Sequence, residues 1–137
     1  MYKAEEIAAY IIKSTDWMSN FKLQSVLYFV QAEFLVVKGR PCFDDPIEAW
    51  DFGPVIPNVY RQYAIYGGMM ILEAKAPMPH LTREDRELID GIVKACEKYG
   101  VTELISITTK QTPWQNAYRN FGRGNTLSNI DIYEFFK

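Results

Sequence analysis

The chain has 137 residues, enough for one domain with a sizeable core. Hydrophobic residues make up 48% and aromatics 15%, which excludes a disordered chain. A net charge of −2 argues against nucleic acid as the main ligand, because phosphate binding needs a concentrated basic footprint.

The first predicted element is a helix over Ala4–Lys13, with Ile7, Ile11 and Ile12 on its apolar side. Glu5 and Glu6 fall inside this pattern and no cleavage site follows, so a secretory leader is not expected. Ser14, Thr15 and Asp16 break the helix, and Trp17 and Met18 tuck against the core. A long helix follows over 21–39. Leu23, Leu27, Val30 and Phe34 recur at helical spacing, widened by Val26 and Leu35, which predicts one buried face. Asn20 is the expected cap, and Lys38-Gly39 the expected end. Asp44-Asp45-Pro46 reads as a turn. The aromatic-rich, alternating run 47–52 reads as a strand, ended by Gly53-Pro54. Residues 55–66 then form a second amphipathic helix with Val55, Val59, Tyr63 and Tyr66 on one face.

Gly67-Gly68 is a break. Residues 69–73 are a short apolar stretch, expected as a second strand beside Trp50, and 74–81, with Pro77 and Pro79, a loop. Thr82 caps a helix that runs to Gly100, with Leu88, Ile92, Cys96 and Tyr99 as its stripe and Ile89 beside it. Thr102 caps a shorter helix through Ile107. Thr112 and Pro113 open another, which holds Trp114, Ala117 and Tyr118. A turn over 122–125 precedes a last helix, Asn129–Phe136, expected to dock through Ile132, Phe135 and Phe136. The expected fold is α+β and predominantly α-helical: a single domain over 1–137, about six helices and a small two- to three-stranded antiparallel sheet.

Little in this pattern carries catalytic chemistry. The lone His80 sits in the Pro-containing loop without a carboxylate and nucleophile ordered beside it. Cys42 and Cys96 have neither metal nor redox spacing, and Cys96 on its helix reads as a small apolar residue. Reduced thiols and a cytoplasmic setting are expected. Asp44, Asp45, Glu48 and Asp51 form an acidic edge. Paired carboxylates serve hard cations or acid–base work. Strand alternation, however, sends Glu48 and Asp51 to opposite faces, and metal-ligand spacing is missing, so a solvated or partner-facing edge is the preferred reading. Arg119, Arg123 and the nearby glycines have a nonspecific spacing for phosphate, and a polar turn is preferred. No phosphate-loop, dinucleotide, nucleophile-elbow or zinc-protease motif is present. No apolar run approaches the roughly 20 residues of a membrane span. Trp50 and Trp114 are expected as core anchors, while Tyr60 and Tyr63 are equally suited to core and interface.

One ordered set of residues is more specific. Leu23-Gln24, Leu27-Tyr28-Phe29, Gly39-Arg40-Pro41, Phe43-Asp44, Ile47-Glu48-Ala49-Trp50, Gly53-Pro54-Val55, Tyr60, Tyr66-Gly67, Pro113-Trp114 and Asn116-Ala117 follow one another along most of the chain. This order resembles the Panacea domain, the family of SocA-like antitoxins and phage-associated GepA-like proteins. Ser25 stands where that family often has a basic residue, and Cys42 where it often has Leu. Thr109 stands where the family often has His, so no role of that His carries over.

The resemblance implies an antitoxin that binds a cognate toxin protein, encoded by a neighbouring gene, without a chemical step. It also implies an adaptor role, presenting the toxin to a Clp-type protease. The structural motif positions it implies are Leu27, Tyr28, Gly39, Pro41, Trp50, Gly53, Pro54, Gly67, Pro113 and Trp114. The candidate partner-binding residues are Glu48, Asp51, Tyr60 and Tyr63, beside a strand expected at a sheet edge. No catalytic residue, metal or cofactor is expected. A phage-borne relative with another partner, a divalent-metal enzyme using the acidic edge, and a nucleic-acid-binding regulator stand as alternatives.

Overall fold

The computed structural model describes residues 1–121 and 124–137, with residues 119–121 by their backbone alone. The expected 122–125 turn and the Arg119 and Arg123 pair rest wholly or partly on residues outside that description.

Helix α1 spans Ala4–Lys13, as its periodicity predicts, and buries Ile7, Ile11 and Ile12. The Glu6 carboxylate accepts from the Lys3 N–H at 3.1 Å and so satisfies one donor of the first turn. Helix α2 spans Asn20–Val37. Its cap is Ser19, whose hydroxyl accepts from the Lys22 N–H, rather than Asn20. Asn20 sits inside the first turn because its side chain is used elsewhere, as described below. The expected stripe of α2 is buried, but so are Asn20, Lys22, Gln24, Ser25 and Gln31. The helix therefore has more than one buried face. Lys38 closes the last turn onto the Phe34 carbonyl, and Gly39 follows with φ +69°, a conformation that side-chain-bearing residues resist.

The next stretch departs from expectation. Strand β1 is Glu48–Trp50 and strand β2 is Gly53–Val55, antiparallel, with Ala49 opposite Pro54. Gly53-Pro54 is thus the return strand of a hairpin rather than a terminator. Gly53 makes the reversal with φ +113°, and a Cβ there would lie 2.9 Å from Thr108 Oγ1, so backbone conformation and space both demand glycine. The following helix starts later than expected: α3 is Pro57–Gln62, continued by a 3-10 turn over Ala64–Tyr66.

The 69–73 stretch does not pair with Trp50. Met70 makes a single antiparallel bridge to Ser19 instead. The outer edge of β1 is already taken by the segment after α6. Ala49 N–H donates to the Asn125 carbonyl at 2.8 Å, and Gly124 N–H to the Ala49 carbonyl at 2.7 Å. Leu127 N–H reaches the Ile47 carbonyl at 2.7 Å. The expected open edge beside Trp50 is therefore covered.

Helix α4 is Arg83–Cys96, capped by the Thr82 hydroxyl as predicted but ending before Gly100. Its deepest stripe is Asp85, Ile89, Val93 and Cys96, with Leu88, Ile92 and Tyr99 only half-buried. Helix α5, Val101–Thr109, is capped at Gly100 rather than Thr102, with the Glu103 carboxylate accepting from the Gly100 N–H at 3.0 Å. Helices α6, Thr112–Phe121, and α7, Asn129–Phe136, complete the chain. Ile132 is buried, and Phe136 packs on Tyr28 and Phe29 with ring centroids 5.8 and 6.0 Å apart. Phe135 is 43% exposed and does not dock. The fold is predominantly helical α+β, with seven α-helices and a two-stranded antiparallel sheet among the described residues. Helix α2 is its axis, touching α1, α3, α4, α5, α7 and β2.

Candidate functional site

The β1–β2 hairpin carries the most distinctive surface. Trp50 and Phe52 project from it toward Phe21 on α2 and Tyr60 on α3. Trp50 lies 5.1 Å from Tyr60 and 5.7 Å from Phe52 between ring centroids, mostly edge-on, and Phe21 lies 5.0 Å from Phe52. Such edge-to-face contacts suit the ring quadrupoles. All four rings are only half-buried, and they pack on one another outside the main core. Trp50 is therefore not the core anchor expected from sequence.

Polar atoms border this knot. Trp50 Nε1 donates to Glu48 Oε1 at 2.9 Å. Trp114 Nε1 donates to the Trp50 carbonyl at 2.9 Å, and its ring stacks on Tyr118 at 4.4 Å. Tyr118 in turn donates its hydroxyl proton to Asp51 at 2.5 Å. The Pro113-Trp114 motif thus holds the hairpin tip from behind, and Trp114 packs against the core as predicted.

Of the four candidate partner residues, Glu48, Asp51 and Tyr60 meet around the knot. Tyr63 does not. It is 0% exposed, and its hydroxyl accepts from the Lys75 N–H at 2.9 Å. Helical periodicity groups Tyr63 with Val59, and the structure buries both. The acidic edge does not converge either. Asp45 accepts from the Ala4 N–H and from Asn58 Nδ2, each at 3.0 Å, so it ties the starts of α1 and α3 together. Glu48 holds Trp50, and Asp51 holds Tyr118. No group of three or more His, Cys, Asp or Glu is placed to hold a metal ion among the described residues. His80 is exposed.

The remaining motif positions hold the frame of the site. Leu27 and Tyr28 are buried in α2, where the Tyr28 hydroxyl donates to Gln111 Oε1 at 2.6 Å and burial pushes its pKa up. Gly39 and Pro41 turn the chain off α2, and Gly67 ends the 3-10 turn. Cys42 and Cys96 are buried thiols whose pKa values burial pushes up to about 12 and about 11. They remain protonated and apolar at neutral pH.

Sequence reasoning missed the residues that bind the irregular chain to α2. Asn20 Nδ2 donates to the Tyr60 carbonyl at 3.0 Å, while its Oδ1 accepts from Gln24 Nε2 at 2.9 Å. Gln24 Oε1 accepts from the Ile56 N–H at 2.9 Å. This relay sets both Tyr60 and the exit of β2. Two turns further along α2, Gln31 Oε1 accepts from Cys42 and Phe43 N–H, and its Nε2 donates to the Phe43 carbonyl. The available signal was an amide on the apolar side of a helix, which is costly unless it is bonded. Asp85 was also missed. It is 1% exposed, accepts from Tyr2 Oη at 2.5 Å, and meets Lys38 and Arg40 at 3.3 Å each. Burial raises its pKa, but the hydrogen bonds from Tyr2, Lys38 and Arg40 outweigh that and hold the carboxyl below its ordinary value.

These motif positions, now seen holding α2, the hairpin and α6 together, coincide with a family profile. The profile described as Antitoxin SocA-like, Panacea domain, matches residues 23–115. The chain belongs to that family. It is similar to the Antitoxin SocA of Caulobacter vibrioides (strain NA1000 / CB15N), at 49% identity over 55 residues. That match covers 40% of this chain and only 29% of the relative. No solved structure matches.

Proposed function

We propose that this protein is an antitoxin that neutralises a toxin protein by direct binding, without a chemical step. The aromatic knot and its acidic border form the contact face. The observation that carries this reading is the position of Phe21, Trp50, Phe52 and Tyr60. They are half-exposed, packed on one another, and bordered by Glu48 and Asp51. Trp and Tyr dominate binding energy at protein interfaces. The acids favour a basic partner and speed encounter at low salt. Among the described residues no helix is long and apolar enough to cross a membrane. Family membership extends the proposal to delivery of the bound toxin to a Clp-type protease, with the toxin encoded beside this gene.

Co-expression tests it. The protein should rescue cells from the product of the neighbouring reading frame and co-purify with it. Reversing Glu48 and Asp51 together to Lys should weaken the complex roughly tenfold or more, as expected for loss of two charged rim contacts. Stability should fall only by the loss of the Trp50–Glu48 and Tyr118–Asp51 hydrogen bonds, about 1–3 kcal/mol in all, and the chain should stay folded. Full-strength binding by the reversed protein would move the interface off this face, and failure of the unaltered protein to rescue would remove the antitoxin reading.

A further inference from the structure

Glu48 and Asp51 both border the aromatic knot, but their carboxylates are engaged differently. Asp51 accepts the Tyr118 hydroxyl proton and so ties the hairpin tip to α6. Glu48 accepts from Trp50 Nε1 through Oε1 at 2.9 Å. Among the described residues its Oε2 makes no hydrogen bond, and no cation pairs with its carboxylate. An ionised carboxylate offers about four lone-pair sites, so Trp50 uses one and the others are left.

The Glu48 carboxylate is also held in place. Its backbone lies opposite Val55 on β2. On the other side, the bonds of Ile47 and Ala49 to residues 124–127 fix the same strand. The indole N–H of Trp50 then fixes the side chain. Residues 48 and 50 share one face of the strand, so the carboxylate stands beside the ring cluster. Tyr60 extends that cluster to Phe21, with ring centroids 6.1 Å apart. Glu48 and all four rings are half-buried. A bound group therefore meets a positioned anion beside aromatic surface, partly out of water, with little ordering of this chain left to do.

The carboxylate selects a cation, and the rings select a flat one. A guanidinium presents two parallel N–H groups that match a carboxylate. It also stacks on aromatic faces and gives up its water more readily than an ammonium. We propose that Glu48, rather than Asp51, receives an arginine side chain of the bound protein, with its guanidinium on the Glu48 carboxylate and its flat face against the aromatic knot. Asp51, tied to Tyr118, adds only its charge. This rests on the reading that the protein binds a toxin directly, and it names the toxin residue that is held.

The probe is N-acetyl-arginine amide, with N-acetyl-lysine amide beside it. The reporter is the Trp50 indole N–H signal in a proton–nitrogen spectrum, assigned by its loss in Trp50→Phe. The arginine probe should move this signal saturably, and more weakly as salt is raised. The lysine probe should bind several-fold less tightly. Glu48→Gln keeps an acceptor for the indole and removes the charge, and it should weaken the arginine probe about tenfold. Asp51→Asn should weaken it less. No saturable shift, equal binding of the two probes, unchanged binding by Glu48→Gln, or a larger loss in Asp51→Asn would each overturn the proposal. Co-expression separates the two readings. Rescue and co-purification by Glu48→Gln equal to those of the unaltered protein would sink the arginine anchor and leave the antitoxin function standing. No rescue by the unaltered protein, with the arginine probe still moving the Trp50 signal and Glu48→Gln losing that response, would sink the function and leave the arginine site.

Discussion

Gln31 shows how a single side chain fixes a long stretch of irregular backbone. Its amide satisfies two N–H groups and one carbonyl of Cys42 and Phe43, all in a fully buried site. Gln31→Ala leaves all three unpaired. Each unsatisfied buried group costs about 1–3 kcal/mol, partly offset by water entering the space, so a loss of roughly 3 kcal/mol is expected. Urea unfolding measures it, and a loss under about 1 kcal/mol would mean water replaces the amide fully. Trp50 makes the opposite case. Removing a fully buried Trp costs roughly 3–5 kcal/mol. Trp50 is half-exposed and loses mainly ring contacts, so Trp50→Ala should cost only about 1–2 kcal/mol. On the proposed contact face, it should all the same abolish co-purification with the product of the neighbouring reading frame. A variant that melts far lower, or that still binds, would return Trp50 to a structural role.

At the scale of elements, local signals and non-local pairing divide what the sequence shows. The bounds of α1 and α7 follow from periodicity, and the Thr82 cap of α4 from its residue type. The hairpin does not, because Gly-Pro reads as a terminator until Gly53 is seen folding back over Thr108. Coverage of β1 by residues 124–127 depends on chain far away in sequence, which no local pattern carries. The same division runs through the candidate site. The nearness of Glu48 and Asp51 to Trp50 follows from their places on one short stretch of chain, whereas the burial of Tyr63 depends on how α3 seats against the rest of the chain.

Asp85 is another non-local link, tying α4 to the end of α2 and to Tyr2. Its folded pKa lies below the ordinary value. The stabilisation is therefore complete above the unfolded carboxylate value of about 3.9 and is lost as pH falls through the folded value. Asp85→Asn should lower stability at neutral pH by roughly 1–3 kcal/mol and flatten its acid dependence below about pH 4. Thermal melts across that range decide it: an acid limb as steep in the variant would place the responsible carboxylate elsewhere.

The molecule as a whole is organised by one helix. Helix α2 buries Leu23, Leu27, Val30 and Phe34 along its predicted stripe, and also Ser25, Ala32 and Gln31. It contacts α1, α3, α4, α5, α7 and β2, so no subset of these elements has a core without it. A chain built this way has no natural line along which to open in parts. We expect the whole chain to behave as one domain and unfold in a single transition, as compact chains under about 150 residues usually do. Leu27→Ala should shift that transition by about 2–5 kcal/mol as one unit, because the cavity lies at the shared axis. Far-ultraviolet dichroism reports the helices, and near-ultraviolet dichroism reports the fixed packing of the aromatic side chains throughout the chain. In urea the two signals should lose amplitude together, both in the unaltered chain and in Leu27→Ala. An earlier loss of the aromatic signal would show side-chain packing lost before the helices, and the expectation of a single transition would then fail.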